Sequence, residues 1–127
     1  MRCIAVAILL SAAAATPASA DYLFSTKELK RVCSSDSEMP SCLSYISGVA
    51  DQFSFQNEVV GTLTQSGLKG RDCIYARVPK DADAHALRDI VLKYLEKAPH
   101  MLENPAVVAV GAALTEAYPC YDRVPSP

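Results

Sequence analysis

Apolar side chains recur at helical spacing in three parts of the chain, separated by stretches where that spacing fails. Leu87, Ile90, Val91, Tyr94, Leu95 and Ala98 fall on one face of a 3.6-residue helix, and Arg88, Asp89, Lys93, Glu96 and Lys97 take the other. An Asp89–Lys93 pair in this helix would contribute only about 0.3–0.5 kcal/mol, so burial of the apolar face must hold it. Pro99 disfavours helical geometry at Ala98 and ends the element. Asn104 suits the cap and Pro105 the first position of a following helix. Earlier in the chain Pro40 opens a run in which Cys42, Leu43, Ile46, Val49, Ala50 and Phe53 share a face. Val59, Val60 and Leu63 extend it, either in the same helix or after a break, until Gly67 to Gly70 stops it. Gly48 inside this helix either marks a close neighbour or is tolerated at about 1 kcal/mol. A short first helix starts at Ser25 and Glu28, spaced as a capping box, with Leu29, Val32 and Cys33 on one side.

Between the second and third helices, Ile74, Ala76 and Val78 alternate, but no second strand pattern exists to pair with them. We therefore expect a loop, with Asp83 capping the next helix and Asp122 to Pro127 forming a polar tail. The fold class that follows is all-α, a small bundle of about four to five helices. Its last helix is unusual, because Ala106 to Leu114 carries no polar side chain on any face. Val107, Val110, Leu114 and Ala117 are expected to point inward, leaving Val108, Ala109 and Ala112 on a second surface. Such a helix is either central or covered by another chain, and in so short a protein we expect a homodimer.

Residues 1–20 change the size of the folding unit. Arg2, the apolar run Ile4 to Ala15 and the small residues Ala18, Ser19 and Ala20 have the layout of a secretory signal peptide. The domain is then 21–127, a single helical unit, exported and without a membrane segment after cleavage. Four cysteines remain in it: Cys33, Cys42, Cys73 and Cys120. An even number in an exported domain favours two disulfides, and four cysteines allow three pairings. Cys33 with Cys42 closes a tight loop between two helices, and Cys73 with Cys120 ties the C-terminal half to its end. Crossed pairings remain compatible with the spacing. A net charge of −2 argues against nucleic acid or an anionic membrane as partner.

Candidate chemistry is sparse. His85 and His100 are the only histidines, and with the cysteines oxidised neither has an obvious nucleophile to activate. Their spacing does not make a metal-ligand set, and no glycine-rich phosphate loop is present. We expect no catalysis, no metal and no cofactor. The residues point to binding.

At this level of detail the chain resembles the Rap/Tai immunity proteins, which protect bacteria against peptidoglycan amidase effectors delivered by type VI secretion. The matching pieces are Cys33, CLSYISGVAD (Cys42 to Asp51), Cys73, LRDIVLKYLEKAP (Leu87 to Pro99), PAVVAV (Pro105 to Val110) and AALTEAYPC (Ala112 to Cys120). The chain departs from the family pattern between Cys73 and the third helix, where Ala84 to Ala86 replace a polar segment. The resemblance implies a periplasmic protein that dimerises and plugs an amidase toxin through the turn between its last two long helices. Here that turn is Pro99, His100, Met101, Leu102, Glu103 and Asn104. Met101 and Leu102 either anchor in the partner's groove or fold back onto the core. The alternative function is a small periplasmic helical binding or chaperone module with no toxin partner.

Overall fold

Ser25 opens the first helix, α1 (Thr26–Cys33), by accepting a hydrogen bond from the Glu28 amide at 3.1 Å. The structure, a computed structural model, describes residues 23–63 and 73–121. The signal peptide, the Gly67 to Gly70 stop and the C-terminal tail lie outside the described residues.

Only half of the expected capping box forms. The Glu28 carboxylate turns away from the Ser25 amide and takes Arg31, at 2.7 and 3.0 Å. The same guanidinium grips Glu38 at 2.6 and 2.9 Å, joining α1 to a 3-10 turn at Asp36–Glu38. Hydrogen bonding to Arg31 holds both carboxyls below their ordinary range. Because all three side chains are in water, this fork orders the α1 corner more than it stabilises the fold.

The second helix, α2 (Met39–Leu63), runs unbroken through Val59 and beyond, with Pro40 in its first turn. Cys42, Ile46, Val49 and Ala50 form its buried stripe. Asp83 caps α3 (Ala84–Lys97) by accepting from the Ala86 amide at 3.0 Å, and Leu87, Val91 and Leu95 face inward. Asp89 lies 3.6 Å from the Arg88 guanidinium, in place of the expected contact with Lys93. Arg88 itself donates to the Cys33 carbonyl at 3.2 Å, tying α3 to the end of α1.

The last helix, α4 (Ala106–Ala117), departs from expectation at its start and in its rotation. Pro105, not Asn104, is the capping residue: its own ψ of 141° is still extended and its carbonyl accepts the first helical amides, from Val108 and Ala109, while the Asn104 carbonyl is taken by Thr26. Its buried stripe is Ala106, Ala109, Val110, Ala113 and Leu114. Ala109 is therefore core and not a second surface, while Val107 is 48% exposed and Ala117 is also exposed. The reason is physical. A helix with no polar face offers no charge to mark the solvent side, and Ala106, Ala109 and Ala113 are small enough to bring α4 close to its neighbours.

The four helices make a bundle in which α3 packs on α2 and α4, and α1 closes the other side against α2 and α4. Leu29, Ile46, Val91, Leu95, Val110 and Leu114 fill the core with almost no exposure. Two disulfides staple it in the favoured pairing: Cys33–Cys42, with Cα atoms 5.0 Å apart, and Cys73–Cys120, at 5.4 Å.

The stretch after Cys73 is a loop, as expected, and what holds it to α2 is a side chain with no signature in the sequence pattern. The Asn57 side chain accepts from the amides of Ile74 and Tyr75 at 3.0 and 3.2 Å and donates to the Ala76 carbonyl at 3.1 Å. One amide group thus replaces three backbone bonds that a strand partner would have made. Tyr75 stacks on Phe53, with ring centroids 5.0 Å apart, and the Arg77 amide donates to the Tyr118 carbonyl. Asn57→Leu, which keeps the bulk and removes the hydrogen bonds, is expected to destabilise the fold by about 2 kcal/mol. Urea denaturation checks this, and a loss below about 0.5 kcal/mol would show that water replaces the amide.

Candidate functional site

Pro99 stops α3, yet the chain does not become irregular there. Residues Pro99–Glu103 form a 3-10 turn, with the Met101 amide donating to the Ala98 carbonyl and the Asn104 amide to the Met101 carbonyl, both at 3.0 Å. Five residues is long for this geometry, whose hydrogen bonds are poorer than those of an α-helix, so outside support is needed.

Three contacts supply it. Met101 points into the core at 8% exposure. The Asn104 side-chain amide lies over the turn, 3.6 Å from the Met101 sulfur. Most important, Thr26 at the start of α1 reaches the Asn104 carbonyl with its amide at 2.9 Å and its hydroxyl at 2.8 Å. The Ala106 amide in turn donates to the Phe24 carbonyl at 3.0 Å, and Ser25 and Pro105 pair as an antiparallel bridge.

The predicted partner-facing residues are therefore together but unequal. Pro99, His100 and Glu103 are exposed, Leu102 and Asn104 are partly covered, and Met101 is folded back onto the core. What the turn can offer a partner is an imidazole and a carboxylate on a stiff support, flanked by a proline ring. His85 is exposed in the first turn of α3. Among the described residues no group of three His, Cys, Asp or Glu side chains is arranged to hold a metal ion.

A second surface lies on the other side of α4. Val107 and Val108 are each 48% exposed, and Val107 borders a recess of about 370 Å³ against α2. Tyr45, Gly48, Val49 and Phe53 line its floor, with Ser44 and Gln52 at the edge. A Cβ built at Gly48 would meet nothing within 4 Å, so this glycine serves no close approach within the chain. Gly111 does: a Cβ there would lie 3.0 Å from the Phe53 ring. Sequence reasoning passed over Gly111 because α4 already reads as a run of small residues.

With this geometry in hand, comparison with known proteins is decisive on one point. The family model for Rap1a immunity proteins matches residues 25–120, from the cap of α1 to the cysteine that closes the long disulfide. The chain belongs to the Rap1a immunity protein family. Membership gives it a toxin-immunity role, exercised by binding a toxin partner. The match includes every element described above: the four helices, both disulfides, the turn and the Thr26 contacts that hold it. No curated protein and no solved structure gives a significant match. The disulfides of this Rap1a member fit an oxidising compartment, and no helix among its described residues is long and apolar enough to cross a membrane.

Proposed function

We propose that the protein is a periplasmic immunity protein that binds a peptidoglycan amidase toxin of type VI secretion and blocks its active-site groove, with no catalysis of its own. The observation that carries this reading is the turn at Pro99–Glu103, within the family match: a short element, held by buried Met101 and by Thr26 at the Asn104 carbonyl, that leaves His100 and Glu103 exposed. A preordered plug loses little conformational freedom on binding, so its few contacts count fully toward affinity. Capture of periplasmic proteins on the tagged mature domain tests the proposal. A Cys/His cell-wall hydrolase whose activity falls to background in the complex is the expected result, and recovery of no hydrolase would overturn it.

The exposed strip of α4 supports a second copy of the chain as a further partner, packed on Val107, Val108 and Ala112 beside the recess against α2. Ala109 takes no part in it, being fully buried. Val108→Asp is expected to give a monomer in sedimentation velocity where the parent protein is a dimer, with thermal stability of the monomer unit retained. The same apolar recess is the feature that favours the alternative of a helical client-binding module. That alternative predicts protection of several unrelated proteins from aggregation.

A further inference from the structure

The residues that hold the turn come from the opposite end of the domain. Thr26 is fully buried, and it is the one buried polar residue among those described. Both of its donors go to a single acceptor, the Asn104 carbonyl, which lies 78 residues away in sequence. A carbonyl oxygen has two lone pairs, and here one residue uses both.

Asn104 is where the chain leaves the 3-10 turn in an extended conformation, with φ −93° and ψ 164°, before entering α4. That junction has no side-chain cap, since Pro105 carries no acceptor. The first free amide of α4, that of Ala106, is satisfied by the Phe24 carbonyl. The tripeptide Phe24, Ser25 and Thr26 thus replaces the missing cap and clamps the far side of the turn. Its own base is fixed, because Leu29 is buried one helical turn further on and Cys33 is bonded to Cys42.

From this juxtaposition we infer that Thr26 is a positioning residue for the turn. By holding the Asn104 carbonyl it fixes the height and direction at which His100 and Glu103 leave the surface. The structural half of the inference stands alone, and the binding half rests on the proposal that this turn faces the toxin.

Amide hydrogen exchange on the whole mature domain separates the two, comparing Thr26→Val, which keeps the shape and removes the hydroxyl, with Thr26→Ser, which keeps the hydroxyl. In the valine variant the Asn104 and Ala106 amides are expected to exchange about five- to tenfold faster, with Val91 and Val110 in the core unchanged, and the serine variant should match the parent. Unchanged exchange, acceleration spread evenly over the domain, or a serine variant as fast as the valine one would each overturn the inference. For binding, the probe is the hydrolase recovered by periplasmic capture, with a dissociation rate expected to rise about tenfold for valine and not for serine. Equal dissociation rates for parent and valine variant would overturn the positioning role. If the parent captures no hydrolase, the proposed function fails while the exchange result still decides the clamp.

Discussion

Replacing Cys33 and Cys42 together with alanine is expected to destabilise the domain by about 4 kcal/mol. Closing the short loop between them accounts for about 3 kcal/mol on the chain-entropy model, with S–S linkage spanning 9 positions. The remaining share, about 1 kcal/mol, is the loss of two buried sulfur atoms, because both cysteines are at 0% exposure and alanine leaves voids where α1 meets α2. For a domain of this size the melting temperature should fall by roughly 15 °C or more, measured by circular dichroism. A fall of less than about 5 °C would mean that the Arg31 fork and the Leu29 contacts hold the α1–α2 corner without the covalent link.

Substituting the turn should divide binding from stability. His100→Ala with Glu103→Ala is expected to weaken capture of the hydrolase by about 30-fold or more, with the melting temperature within about 2 °C of the parent, since both side chains are exposed. Met101→Ala should do the reverse, costing about 2–3 kcal/mol of stability through a core cavity. Titration calorimetry and thermal melts on the two variants give the comparison. Undiminished affinity in the His100/Glu103 variant would move the binding surface away from the turn.

How much of this architecture the sequence carried depends on whether the cause was local. Ser25, Asp83, Pro40 and Pro99 act on their own backbone or on an amide three residues away, so the helix starts and the stop at Ala98 could be read directly. The cysteine pairing was favoured for a similar reason, since the short loop joins neighbouring elements. The Asn57 contacts could not be read, because its partners are backbone groups at Ile74, Tyr75 and Ala76 with no side-chain signature. The cap of α4 falls one residue later than the sequence predicts, because the donor that takes the Asn104 carbonyl, Thr26, is remote. Ala109 is core where the sequence predicts surface, because a uniformly apolar helix has no internal marker of its rotation. For the candidate site, sequence located the turn and resemblance gave it a role. Which side chains face outward followed only from the packing of Met101 and the pinning of Asn104.

The Thr26–Asn104 contact also sets a schedule. A chain emerging from a ribosome or a translocation channel delivers Thr26 early and Asn104 only after 78 further positions, so the turn cannot take its final shape until nearly the whole domain is out. Cys73 and Cys120 impose the same order, since their bond waits for the last helix and for an oxidant. A form delivered only as far as α3 therefore lacks the braced turn. On the proposed role of the turn, binding competence arrives late, and a chain stopped before Asn104 has no finished surface with which to meet a toxin.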